Sequence, residues 1–318
     1  MNVNSPHPEP LVATSLSRRS LLVSFLAMPA LGGVLAACGG NGDSASSTPD
    51  DTTPDDTTPD TSTPVVGIEH PTEATAAIIR LGYVGGMLPP DYAFSQLPTV
   101  LVAGDGSVYA PGVMTMQYPG PLVLPVTSRT ITEAGIQILL AKADSLGLLT
   151  SPSPDYTPSG DIMIADAPNT EVVLAAKGSS FTHSAYALGL MTPGGDGTKD
   201  NTPARQALLD FSLALQDLTA TVGADNLGAE GIYTPAAYRI RARAAEQSEL
   251  DGITPAPPVV EWPASTGVKL ADATNCATLT AEQAGTVLAD ATQDTYFTDG
   301  DSLYFVAAAV LLPGDPAC

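Results

Sequence analysis

TVLVAGDGSVYA, residues Thr99 to Ala110, is the stretch on which the fold turns. Two apolar arms flank Asp105–Gly106, a dipeptide that favours the backbone angles of a tight hairpin turn. A hairpin implies antiparallel strands, and the neighbouring sequence extends the sheet. Ala76–Tyr83 reads as a strand on one side and PLVLPVTSRTI, Pro121 to Ile131, as an extended run on the other. Further along, Glu171–Ala176 and Ser180–Leu188 form a second hairpin around Lys177–Gly178.

Helices interrupt this pattern. Thr132 suits an N-cap, Ile131 and Ile136 are placed for a hydrophobic staple, and Ile136, Leu139, Leu140 and Ala143 form one apolar face. A second helix starts at Thr202 with Pro203 at its first position, where the missing donor costs nothing. Its stripe of Ala204, Leu208, Phe211, Leu215, Leu218 and Val222 steps by alternating fours and threes, as a face packed on a sheet does. The last third holds a strand at Ala237–Ala245, a Pro-rich passage around Trp262, a capping box at Thr280–Gln283 opening a third helix, and an apolar strand at Leu303–Leu312. These elements predict an α+β fold, mainly antiparallel sheet with about three packed helices. Thr132–Ala143 and Thr280–Ala291 share a pattern, so two similar sub-halves are one expectation, with a sub-boundary near 224–235.

The N-terminal region is organised differently. Arg18–Arg19 precedes an apolar run from Leu21 to Ala37 that Pro29, Gly32 and Gly33 break, too short for a bilayer span and built like a secretory signal. Ser17–Leu22 resembles a twin-arginine export signal, although paired arginines also occur in general secretory signals. Leu35-Ala36-Ala37-Cys38 resembles a bacterial lipobox, in which Cys38 takes a diacylglycerol thioether and becomes the new N-terminus. The expected organisation is a cleaved signal at 1–37, a lipidated stalk at 38–64 and a globular extracytoplasmic domain at 65–318. From Gly39 to Pro64 no hydrophobic side chain exceeds Ala45, and TPDDTTPDDTTPDT (Thr48 to Thr61) repeats a pentapeptide. Such a segment forms no core, and its 26 residues reach about 80 Å at the polyproline rise.

RLGYVGGMLPPDY, LVAGDGSVYAPG, YPGPLVLP, IADAPNT and the closing LLPGDPAC resemble segments of an uncharacterised lipoprotein family of high-GC Gram-positive bacteria. The resemblance covers most of residues 76–318 and implies location and an intact fold. It brings no catalytic residue with it.

Composition narrows the partners. Removing 1–37 takes Arg18, Arg19 and Glu9 from 12 basic and 34 acidic residues, leaving 10 and 33 and a net charge of −23. That charge repels nucleic acid and anionic headgroups, so nucleic acid is not an expected partner. The expected partners are the membrane, through the lipid anchor, and an envelope protein or glycan. Cys276 and Cys318, an even pair in an exported chain, suggest a disulfide; two buried thiols are the alternative.

Chemical motifs are scarce. The chain has no G-x-S-x-G elbow, Walker loop, H-E-x-x-H, C-x-x-C or S-x-x-K motif, and its three histidines rule out a histidine-rich metal site. No cofactor is implied. His183 is the best catalytic candidate, with Asp161 or Asp166 to orient it as a general base; the competing reading is a hydrogen-bonded histidine on a half-buried strand. Arg239, Arg241 and Arg243 share one strand face in YRIRARA, suited to a phosphate or carboxylate ligand or to pairing with the chain's own carboxylates. Asp196, Thr198 and Asp200 have calcium-loop spacing, but Asn201 and Ala207 stand where that loop needs Gly and Glu, which favours a plain linker. The expectation is a non-enzymatic interaction or structural module of the cell envelope. A hydrolase using His183 with a carboxylate and a solute-binding receptor are the rivals.

Overall fold

The computed structural model describes residues 67–318, apart from 161–163, 191–196, 286 and 317. Cys38, Arg18, Arg19, the stalk, Asp161 and Asp196 therefore lie outside the described residues. The fold is α+β and strand-dominated, with twelve strands in two open sheets and five α-helices among the described residues.

The first sheet is wholly antiparallel. Its strands are β1 (Ala77–Val84), β2 (Val100–Ala103), β3 (Ser107–Pro111), β4 (Val126–Thr130), β5 (Asn169–Ala176), β6 (Ser179–Tyr186) and β7 (Gly231–Ile232), in the order β6-β5-β1-β2-β3-β4-β7. Turn chemistry explains its two tight hairpins. At the β2–β3 turn Gly106 takes φ +81°, and a Cβ there would stand 2.7 Å from the Ile131 carbonyl oxygen, so no other residue fits. The Asp105 carboxylate accepts from the Ser107 amide at 2.9 Å and closes the turn. At the β5–β6 turn both Lys177 (φ 54°) and Gly178 (φ 66°) occupy the left-handed region, as a two-residue primed turn requires.

Three helices cover one face of this sheet: α2 (Glu133–Ser145), α3 (Pro203–Gln216) and α4 (Leu218–Val222). Thr132 caps α2 by accepting from the Gly135 amide, and Thr202 caps α3 by accepting from the Arg205 amide. The apolar stripes interlock with Ile79, Leu81, Val172 and Leu174 in the main core. The stripe expected to continue as one helix from Thr202 to Val222 breaks at Asp217. There the backbone leaves the helical region, and the Asp217 side chain caps a new helix by accepting from the Ala220 amide.

The second sheet comprises β8 (Ala237–Ala245), β9 (Val259–Glu261), β10 (Ala277–Thr280), β11 (Tyr296–Asp299) and β12 (Ser302–Val310), in the order β10-β8-β12-β11-β9. Only β9–β11 is parallel. Its core gathers Ile240, Leu279, Phe297 and Val306 around Trp262, whose ring stands edge-on to Phe297 and whose Nε1 donates to the Val268 carbonyl at 2.8 Å. A smaller cluster joins the sheets: Val310 and Leu312 pack with Leu101, Tyr109 and Val126. The Thr280 capping box forms, but α5 (Ala281–Ala284) is a single turn stopped at Gly285 with φ +48°. The Thr132 and Thr280 segments thus become a thirteen-residue helix and one turn, and the sheets differ in strand number and topology.

Cys276 and Cys318 stand at disulfide distance, with Cα atoms 5.1 Å apart. A bond there closes a 42-residue separation, worth about 4 kcal/mol by loop entropy. Among the described residues no helix is long and apolar enough to cross a membrane.

The remaining helix, α1 (Pro90–Ser95), carries two successive prolines at its start, no side-chain cap and no buried residue. It follows β1 and lies on β12, at the end of the first sheet where β1, β3, β6 and β7 all run out.

Candidate functional site

His183 is completely buried on β6. Nε2 lies 2.8 Å from the Leu148 carbonyl oxygen, which only accepts, so Nε2 carries the proton. Nδ1 is therefore bare and accepts from the Tyr156 hydroxyl at 2.7 Å. Burial pushes the imidazole below its ordinary pKa, opposed by the hydrogen bond to Leu148, and the same burial raises Tyr156 to about 12. Both partners are neutral and both ring nitrogens are engaged. This is a structural histidine's environment, and it lacks the open approach that a general base needs.

The same region holds a side chain that sequence reasoning passed over. Arg205, on the first turn of α3, has a fully buried side chain paired with an equally buried Asp200, Nε to Oδ1 at 2.6 Å and Nη2 to Oδ2 at 2.9 Å. Its remaining donors reach the carbonyls of Tyr156, Tyr186 and Ala187. Asp200 also accepts from the amides of Gly189 and Asn201. Burial works to raise its pKa, but the guanidinium and those amides outweigh it and hold the carboxyl below the usual range. The Asp200 oxygens, suggested as calcium ligands, are thus occupied by nitrogen donors. Among the described residues no cluster of three or more metal-ligating side chains occurs. Asp166 sits in an exposed turn with φ 62°, away from the bonds that His183 makes.

Together His183, Tyr156, Arg205 and Asp200 pin the long segment between α2 and β5 to the sheet and to the start of α3. Three hydrogen bonds between Ser159 and Asn201 complete the clip.

The arginine row is also used internally, and the residues it holds belong to α1. Phe94 meets both Arg239 and Arg241, whose guanidinium carbons stand 5.0 and 5.2 Å from the ring centroid. Arg239 donates to the Phe94 carbonyl, Arg241 pairs with Asp91 at 2.9 Å, and Arg243 pairs with Glu249 at 3.0 Å while standing 3.8 Å from Asp91. Cross-strand register sets small residues beside two of them: Ala309 opposite Arg239 and Ala307 opposite Arg241. That leaves room over β12 for a helix with no apolar face of its own.

Seated there, α1 forms one wall of a groove of about 120 Å³. Leu88, Tyr92, Leu122, Leu124, Phe305 and Ala307 supply its apolar lining, with Gln96 and Gln293 at the rim. The flanking loops are unusually bare. Met87, Val113, Met116 and Tyr118 are between 78% exposed and fully exposed, and Leu88, Tyr92 and Met114 are also exposed. Gly85–Pro98 and Gly112–Pro125 hold one charged residue, Asp91, where the chain-wide share of 14% would put about four. The chain enters at the other end of the sheet. Ile68 bonds Gln137, His70 meets Glu133 at the start of α2, and the Glu69 carbonyl accepts from Lys177 at the β5–β6 turn.

Comparison with models of known protein families, with curated proteins and with solved structures finds no match for the chain. The site is thus defined by its own geometry: a largely apolar groove, with Asp91 as its one charged lining residue, and its loops at one end of an acidic α+β domain.

Proposed function

We propose that the protein is a lipid-anchored, non-enzymatic module of the cell envelope that presents the loop end of its first sheet to the apolar surface of a partner protein. The observation that carries this reading is the placement of the groove and its exposed methionines and tyrosines at the end opposite to the one where the chain enters. Residues 68–70 meet the α2 end of the sheet, so the groove lies at the end farther from them. Methionine and tyrosine side chains suit such a surface, since they adapt to a partner and bury large areas at modest entropy cost. The scarcity of charge favours an apolar protein surface over nucleic acid or anionic lipid. His183, on which the rival hydrolase reading rests, has both ring nitrogens engaged in internal hydrogen bonds.

Export and anchoring rest on Arg18–Arg19 and the Leu35–Cys38 box. Mass spectrometry of the native protein is expected to find Cys38 as a lipidated N-terminus; an intact leader or an unmodified thiol defeats this part of the reading. Docking is tested in cells with photo-crosslinking residues placed at Met87, Met116 and Tyr118, and at Ile138 on the outer face of α2 as a control. One common protein adduct from the first three, absent from position 138 and abolished by Tyr92→Asp, is expected. Adducts to lipid, to a second copy of the chain, or equally from all four positions overturn it.

A further inference from the structure

Of the six arginines among the described residues, five are engaged within the protein. Arg80 stands 2.9 Å from Asp315, Arg205 is locked to Asp200, and Arg239, Arg241 and Arg243 hold α1 and Glu249. Arg129 is the exception. It is half-buried on β4, yet it makes no ion pair or hydrogen bond with any described residue, in a chain with 34 carboxylates.

Register places it. Arg129 lies opposite Val108, and Val108 belongs to the core beneath the helices, so the arginine rises from the helix-covered face. There a cleft of about 290 Å³ opens between β2–β4 and the junction of α3 with α4. Val108 and Leu215 form part of its apolar floor, while Thr99, Thr127, Gln216 and Glu230 bring polar groups to it. Half-burying a guanidinium against apolar walls costs solvation that an internal carboxylate normally offsets, and here none does. Glu230 lines the same cleft without pairing to Arg129, so the site presents both charges separately.

We infer that this cleft binds a small amphipathic zwitterion of the amino-acid class. The ligand carboxylate meets Arg129 and the Thr99 hydroxyl, its ammonium faces Glu230, and its apolar part lies over Val108 and Ala110. A planar guanidinium suits a carboxylate through paired N–H···O bonds. Glu230 disfavours a doubly charged anion such as phosphate. This inference is independent of the docking groove, which lies on the other sheet around β12 and α1.

The test is titration calorimetry on the full chain in detergent with four probes: L-leucine, leucinamide, 4-methylpentanoate and inorganic phosphate. Saturable binding of L-leucine is expected, weakened about tenfold or more in leucinamide, which lacks the carboxylate, and in 4-methylpentanoate, which lacks the ammonium. Arg129→Ala and Arg129→Gln are both expected to lose L-leucine binding while keeping the unliganded melting temperature, which separates a lost contact from a lost fold. Failure of L-leucine to bind up to about 10 mM, about tenfold above a 1 mM dissociation constant, overturns the proposal. So do equal binding by both variants, leucinamide or 4-methylpentanoate matching L-leucine, and phosphate binding tighter than L-leucine.

Discussion

Arg205 and the Arg241–Arg243 pair hold carboxylates in two very different settings. The side chains of Arg205 and Asp200 are wholly buried, and every hydrogen bond around them stays inside the protein. Arg241 is 26% exposed, Arg243 47% and their shared Asp91 23%, at the surface where α1 rests on β12. A sealed ion pair cannot be opened without stranding a charge, so it ties its segment to global folding. A half-exposed pair hands its charges to water when it opens, so the element it holds can detach while the rest stays folded. The clip and the α1 seat therefore differ in whether the segment they hold can detach, although the side chains are chemically similar.

The sharpest way to break that contrast is Arg205→Met. It leaves Asp200 buried without its cation and is expected to cost about 3–5 kcal/mol, read as a lower urea midpoint. Adding Asp200→Asn should recover part of the loss, because the stranded charge goes with it. A loss below about 1 kcal/mol for the single variant would place Arg205 in the same class as the surface row.

Next in size is His183→Ala, which removes the partners of both the Tyr156 hydroxyl and the Leu148 carbonyl and leaves a cavity. About 1–3 kcal/mol is expected. The wild-type protein carries a pH signature that this variant lacks. Burial lowers the imidazole pKa in the folded state, so the unfolded chain binds the proton more readily. Stability from this group is complete above about pH 6.5 and declines as the pH falls below it, at no more than about 1.4 kcal/mol per pH unit, down to the folded pKa. Urea midpoints of wild type and His183→Ala should converge as the pH drops through that window. Parallel curves would mean that His183 is not buried in neutral form.

Legibility in the sequence followed the range of the forces. The hairpins at Asp105–Gly106 and Lys177–Gly178, the Thr132 and Thr202 caps and the Ala237–Ala245 strand are set by neighbours within a few residues, and they are found where the pattern places them. Asp217 carried a signal that the apolar stripe masked, since aspartate prefers a cap to a helix interior. Helix α1 was hidden because its anchors, Arg239 and Arg241, lie 145 and 150 residues away from the atoms they bind. The clip was hidden likewise, with Tyr156 at 27 residues from His183 and at 49 from Arg205. His183 and Asp200 stood out because their residue types can do chemistry. Spacing alone could not reveal that burial had already committed both to structure. The groove left only a compositional trace, two stretches with a single charge, Asp91, in an acidic chain.

Arg241→Ala should give the smallest global effect and the most local one. The pair with Asp91 is half in water, so its loss is expected to cost about 1 kcal/mol or less in urea unfolding. One of the two cation–π contacts on Phe94 goes with it, which leaves α1 held by Arg239 and the Arg243–Asp91 approach. Because α1 buries no residue of its own, hydrogen exchange across Pro90–Ser95 should accelerate at least about fivefold while β8 and β12 keep their protection. Crosslinking from Met116 and Tyr118 should fall in the same variant, since α1 supplies Tyr92 to the groove wall. If α1 loosens and capture persists unchanged, the loops dock without the groove. If β8 loses protection together with α1, the row belongs to the global core after all, and the division between sealed and detachable arginines fails.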